Sequence, residues 1–257
     1  MAIHALEISF PLEYQPPFWK HKPIGLIVHL VGHEGPGSLH SYLKKKQWAT
    51  SLNSAQQNLA RGIAMFKITI FLTPEGFCKP SLVSVKANSD LILKTANHRS
   101  VILAAHKYLA LLRSTKLSRF HYDELVTLSA TRFRFAEKRR PEDYATWISD
   151  HMVWPLPPEF LLAGPVVTWD WDSDIDREMG EAKITEYLQQ FRIHESRVVL
   201  MAKKGEHLKV DPSITWDQEP WYGTEYSVQR FDETFIREVH FSLNTEGYSL
   251  THHLIVG

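Results

Sequence analysis

His29 and His33 stand four residues apart in a stretch that reads as helix, with Glu34 directly after the second. Two imidazoles at that spacing share one helix face and can reach one metal ion. Zinc hydrolysis demands more. It needs a further ligand, and a Glu between the two His or immediately before the second, so that a carboxylate meets the bound water. Here Gly32 precedes His33 and Glu34 follows it. The pair is therefore expected to pack or to hydrogen-bond. No residue of the chain is expected to be catalytic or to ligate metal.

Two other stretches carry charge at suggestive spacing. Asp170, Asp172, Asp174 and Asp176, with Glu181 twelfth counting from Asp170, imitate a calcium loop. Ile175 replaces the turn glycine and Arg177 takes the eighth position, so a solvated acidic loop is the expectation. From Arg132 to Arg140, basic and aromatic residues interleave as in some nucleic-acid binders. A helix end accounts for this more simply: its cations complement the C-terminal dipole and its Phe side chains face the core. The lone Cys78 has no recognisable catalytic context and no Gly-x-Ser-x-Gly motif exists, which sets nucleophilic catalysis aside.

The elements that position these residues follow from periodicity. Leu6 to Tyr14 alternates as a strand and ends at Pro16-Pro17. Within Phe18 to Val31 the apolar positions Ile24, Ile27, Val28 and Val31 form one helical stripe. Gly32 to Ser38 breaks it, Ser38 caps a second helix over Leu39 to Lys46, and the result is helix, kink, helix. Strands are expected at Trp48 to Leu52 and Gly62 to Thr73, with a turn over Thr73 to Gly76. Helices are expected at Val101 to Leu112, Tyr122 to Phe135, Glu142 to Met152 and Ile184 to Phe191, and a last strand at Arg197 to Met201. This order predicts an α+β fold with helices packed on one face of a largely antiparallel sheet.

Composition excludes several classes. The 257 residues are 44% hydrophobic and include eight Trp, nine Tyr and thirteen Phe, enough for a large core. Lys and Arg (29) balance Asp and Glu (29), so no overall field favours nucleic acid or an anionic membrane, and neither is an expected partner. The longest apolar run, Ile24 to Val31, is far short of a bilayer span. A single Cys fits a reducing compartment, cytoplasmic or mitochondrial.

A series of blocks in fixed order resembles one family. Gly32-His-Glu-Gly-Pro-Gly-Ser-Leu39, Tyr42-Leu-Lys-Lys-Lys46 and Trp48 are followed by Ala60-Arg-Gly62 and Leu72-Thr-Pro-Glu-Gly76. Then come Phe133 to Pro141, Pro155-Leu156, Arg197-Val-Val-Leu200 and Trp221-Tyr-Gly-Thr-Glu-Tyr226. Together they look like the second, non-catalytic domain in the N-terminal half of insulinase (pitrilysin-type) zinc metalloendopeptidases. The resemblance implies a processing-peptidase-like metallohydrolase domain, in part, over residues 1–239, with an insertion at 78–97 and an atypical tail at 240–257. It also implies a piece of a longer enzyme whose zinc motif lies in an earlier domain, so that this chain binds no cofactor while the whole enzyme binds zinc.

In that family the second domain lines the degradation chamber, and the strand after the kinked helices pairs with the N-terminal backbone of extended peptide substrates. By position, the substrate-binding residues here would be Gly32, His33, Glu34, Gly35 and Gly37, with Leu52, Ser54, Ala55 and Gln56. Ser54-Ala55 stand where many relatives carry a Gly pair. Glu34 has two readings, as the partner of the peptide's free amine and as a capping or structural residue. The rival reading of the whole chain is a stand-alone interaction module or pseudoenzyme subunit that partners a catalytic peptidase domain or subunit.

Overall fold

The computed structural model describes residues 4–60, 62–77, 97–152, 156–202, 205, 214–237 and 239. Cys78, the expected insertion apart from Asn97, and the expected tail from 240 lie outside them.

Strand β1 (Ala5–Glu13) lies inside the sheet and buries Leu6, Ile8, Phe10 and Leu12 on one face. It pairs antiparallel with β3 (Ile63–Leu72), setting Leu6 opposite Ile70, Ile8 opposite Ile68 and Phe10 opposite Phe66, all buried. On its other side β1 pairs with β4 (Arg197–Ala202), setting Leu6 opposite Leu200 and Ile8 opposite Val198. Side chains directly opposite in such ladders share a face, so these residues make one continuous apolar wall. The other face is half-exposed, and Lys67 there pairs with Glu7 at 3.4 Å.

With β2 (Ala49–Ala60), β5 (Asp217–Gln218) and β6 (Glu225–Gln229), the sheet runs β2-β3-β1-β4-β6-β5, antiparallel throughout, and ends on the short β5–β6 hairpin. Sequence periodicity did not indicate this hairpin. At the opposite edge β2 covers Ala49–Ala60, far longer than the expected Trp48 to Leu52. Its second half is polar, and among the described residues the strand has a neighbour on one side only, so it lacks the apolar alternation that betrays a buried strand.

The helices α1 (Pro23–Val31) and α2 (Leu39–Lys45) pack on β2, and Ser38 caps α2 as expected, its Oγ accepting from Ser41 N–H at 3.1 Å. The short α3 (Pro74–Phe77) replaces the expected turn. The long helices α4 (Asn97–Ser114) and α8 (Asp174–Gln190) pack against each other, and α8 also packs against α1. Phe191, just past α8, drives its ring between Phe10 and Phe66, with centroids at 4.8 and 4.9 Å.

Two expectations need correction. The acidic stretch is not a loop throughout. Ser173 caps α8, accepting from Asp176 N–H, and Asp174 and Asp176 lie in its first turn, where carboxylates meet the positive end of the helix dipole. Asp172 accepts from Arg119, so these carboxylates do not converge on a cation. The basic-aromatic stretch also differs. It closes α5 (Arg119–Arg134) and leads to α6 (Pro141–His151), but Phe133 and Phe135 are 48% and 73% exposed. Of α5 only Tyr122 is buried, and α6 buries nothing. The two helices form an arm beyond the sheet, and α7 (Pro158–Ala163) follows them.

Candidate functional site

In the last turn of α1 one carbonyl takes a second donor besides its helical one. Val28 O accepts from Gly32 N–H at 2.9 Å and from the hydroxyl of Ser54, on β2, at 2.6 Å. A Cβ at position 32 would lie 2.6 Å from Ser54 Oγ and 3.0 Å from Val28 O. Only glycine lets the turn come this close to the strand. The two expected groups, 32–37 and 52–56, therefore meet at Gly32 and Ser54.

The turn beyond Gly32 is held by His33. Its Nδ1 accepts from Gly35 N–H at 3.0 Å, which places the ring proton of neutral His33 on Nε2. A Cβ on Gly35 would strike that ring at 2.5 Å. Gly37 adopts φ +83°, a conformation costly for other residues, and the chain then enters the Ser38 cap. Glu34 and Pro36 are exposed on the outside of the turn. Glu34 makes no hydrogen bond or ion pair among the described residues.

Behind the turn lies a cluster that only α5 completes. His29 Nε2 is 3.0 Å from Glu124 Oε2, and His33 Nε2 is 3.9 Å from the same oxygen. The ring of His121 lies 6.1 Å from that of His33. His121 is held below the ordinary imidazole value, first by burial and then by the charge of His33, with Glu124 opposing the shift. His29 thus hydrogen-bonds, as the sequence suggests, but its partner lies 95 residues away and had no local signal.

These residues do not fit zinc. Nδ1 of His33 is taken by a backbone amide, its Nε2 then carries a proton, and Glu124 is occupied by His29. Among the described residues no group of three or more His, Cys, Asp or Glu is placed to hold a metal ion.

The strand beside the turn is open. Among the described residues β2 pairs with β3 alone. Its sequence, Ala-Thr-Ser-Leu-Asn-Ser-Ala-Gln-Gln-Asn-Leu-Ala, contains no charge, no proline and no glycine. Register shifts fall near its two ends, which leaves Ser51 to Asn58 regular. Leu52 is buried, Ser54, Ala55 and Gln56 are half-buried, and Gln56 Nε2 donates to Asn58 Oδ1 at 2.6 Å. Leu52, Ser54 and Gln56 lie opposite Ile70, Ile68 and Phe66 on the helix-covered face, whereas Ala55 lies opposite Lys67 on the other.

Residues 2–126 match the model of the peptidase M16 inactive domain, and residues 133–252 match that of the middle or third domain of peptidase M16. The chain belongs to the peptidase M16 family. Among M16 relatives it is 31% identical to insulin-degrading enzyme of Drosophila melanogaster over 229 residues, 89% of this chain and 20% of that protein. It is 29% identical to a nardilysin-like protein of Arabidopsis thaliana, over 87% of this chain and 19% of the relative. The chain thus spans about a fifth of the length of these curated relatives. In fold it is similar to pitrilysin, with a TM-score of 0.71 at 19% identity, over 95% of this chain and 22% of pitrilysin.

In this M16 chain the contact of Gly32 with Ser54 makes a direct prediction. Gly32 has φ −81° and ψ 0°, angles any residue accepts, so Gly32→Ala acts through sterics alone. It is expected to cost about 1–3 kcal/mol in urea unfolding, the usual range for overpacking. Adding Ser54→Ala removes the obstructing oxygen and is expected to recover part of that loss, although the bond to Val28 is given up. Strictly additive costs would show that the two residues do not touch.

Proposed function

We propose that this M16 chain anchors extended peptides, through main-chain pairing along β2 and capture of the peptide's N-terminus at the Gly32–Gly37 turn. One observation carries the reading: the uncharged, proline-free edge of β2. Sheet edges are ordinarily guarded by charge, proline or brevity, because their free N–H and C=O groups recruit any passing strand. A long regular edge without such guards is the surface that strand addition requires. Backbone pairing supplies affinity with little sequence preference. The turn adds direction, because Glu34 stands exposed on it, unpaired among the described residues, and suits an ammonium group.

The whole enzyme's hydrolytic chemistry, a zinc-bound water with a Glu as general base, belongs to another domain. This chain's share is to bind and orient. The reading predicts that acetylating the N-terminus of an extended peptide weakens its binding about 10- to 100-fold, the worth of a charge-assisted hydrogen bond. Fluorescence anisotropy with free and acetylated peptide measures this, and Glu34→Gln should abolish the difference. Equal affinities for the two peptides would overturn the anchoring.

The α5–α6 arm favours a compatible second reading, that the chain docks on a catalytic peptidase domain or subunit. Phe133, Phe135 and Met152 are exposed there, as are Trp221 and Tyr222 on the distal hairpin. Co-purification with a chain bearing the zinc motif supports it, and a monomer that recovers no such chain argues against it.

A further inference from the structure

A cavity of about 270 Å³, open to solvent on one side, lies behind the turn and is lined by residues 36–38, the end of α1, the end of α4, the start of α5 and the middle of α8. Leu30, Leu112, Ile184 and Leu188 give it apolar walls. The hydroxyl of Tyr108, also in the lining, is already committed to Leu30 O at 3.1 Å. The volume is just below the usual small-ligand range of roughly 300–1,000 Å³, which suits a molecule of a few rotatable bonds and excludes an extended peptide.

Two polar atoms in this lining are stranded. Glu181 Oε1 and His121 Nδ1 are shut off from solvent and have no hydrogen-bond partner among the described residues. Oε1 is closed even to water, so a ligand in the cavity meets the Glu181 carboxylate through its other oxygen, for which an ammonium group is the best donor. The lining also carries the opposite charge. Arg113 spends Nη1 on Leu188 O and Phe191 O, at 3.2 and 3.1 Å, leaving Nε and Nη2. Lys116 is exposed and makes no ion pair among the described residues. One acceptor for a cation, two cations for an anion and an aliphatic wall define an amphoteric ligand with an apolar side chain.

We propose that this cavity binds a small apolar zwitterion, a free apolar amino acid or a dipeptide of such residues, through its ammonium group at Glu181, its carboxylate at Lys116 and Arg113, and its side chain against Ile184 and Leu188. Because His33 and residues 36–38 form one wall, an occupant stiffens the anchoring turn from behind. That consequence rests on the function proposed above, whereas binding itself does not.

Calorimetric titration of the full chain with L-leucine, L-leucyl-L-leucine and N-acetyl-L-leucine tests the site. The two free amines are expected to bind with Kd on the order of 1 mM or below. N-acetyl-L-leucine, lacking the ammonium group, is expected to bind at least about tenfold more weakly, and Glu181→Gln should weaken L-leucine by a similar factor. No heat from any compound, as for a cavity that holds only water, would overturn the proposal. So would equal binding of leucine and its acetylated form to the unmodified chain, a comparison that stands even if the variant fails to fold. Peptide anisotropy with and without leucine then reads the coupling separately: leucine that binds without altering peptide affinity removes the coupling and leaves the site.

Discussion

Phe191→Ala is expected to cost about 3–5 kcal/mol of stability, the range for deleting a buried aromatic ring whose cavity cannot collapse. Phe191 is fully buried, and its ring lies 4.8 Å from Phe10 on β1 and 4.9 Å from Phe66 on β3. Those two rings oppose each other across the β1–β3 ladder, 6.1 Å apart. The three come from distant parts of the sequence, so the surrounding backbone is fixed by ladder bonds on one side and by α8 on the other. Urea unfolding should show a lower midpoint with an unchanged slope. Phe133→Ala is the control: that side chain is 48% exposed on the arm and its loss should stay within about 0.5 kcal/mol. Comparable costs at the two positions would contradict the assignment of Phe191 to the core and Phe133 to the surface.

The same contrast explains what the sequence could reveal. Where an element is buried along its length, pattern follows burial. β1 and β3 alternate, the stripe of α1 repeats at three and four, and Ser38 announces α2. These are also the elements that form the sheet's centre and its cover, so the α+β architecture was legible from them. Elements at the margins obey other constraints. β2 is polar, and among the described residues one side of it has no strand; that openness is the feature on which the functional reading rests. The start of α8 is written in carboxylates that serve the helix dipole, which resemble a loop to any test for apolar spacing. Phe133 and Phe135 are aromatic without being core, and periodicity cannot separate a core face from an exposed one.

The candidate site was legible to a different degree. Its two groups came from the family resemblance. Nothing in the spacing of Gly32 and Ser54 says that they touch; the contact requires α1 to end against β2, a tertiary fact. His121 and Glu124 share one helical turn of α5 and carry no signal alone, since their meaning comes from His29 and His33 on α1. Long-range clusters of this kind stay invisible until packing joins the helices. The orphaned atom of Glu181 is a further case, because a carboxylate on an acidic helix looks solvated until the surrounding walls are known.

Between pH 7 and pH 5 the chain is expected to lose about 2 kcal/mol of stability through His106 alone. This imidazole is fully buried in α4, edge-on to Phe10 with ring centroids 6.1 Å apart, and its Nε2 has no hydrogen-bond partner among the described residues. Burial, with a smaller contribution from the charge of Arg113, pushes it down to about 3 from the ordinary 6.5. Folded, His106 stays neutral while the unfolded chain takes up a proton, so the unfolded state binds more protons over this interval. Stability therefore rises with pH from about 3 to about 6.5, is complete above that, and falls on acidification. Urea midpoints measured from pH 7 down to pH 5 should trace this slope. His106→Leu should flatten it, and should cost little at neutral pH because it also removes a stranded polar atom from the core. An unchanged slope in that variant would assign the acid sensitivity to other groups. Acid loosening through His106 would release α4, whose Tyr108 hydroxyl is bonded to Leu30 O near the end of α1, and with it the support of the proposed peptide site. Peptide affinity should therefore fall with the fraction folded and not ahead of it.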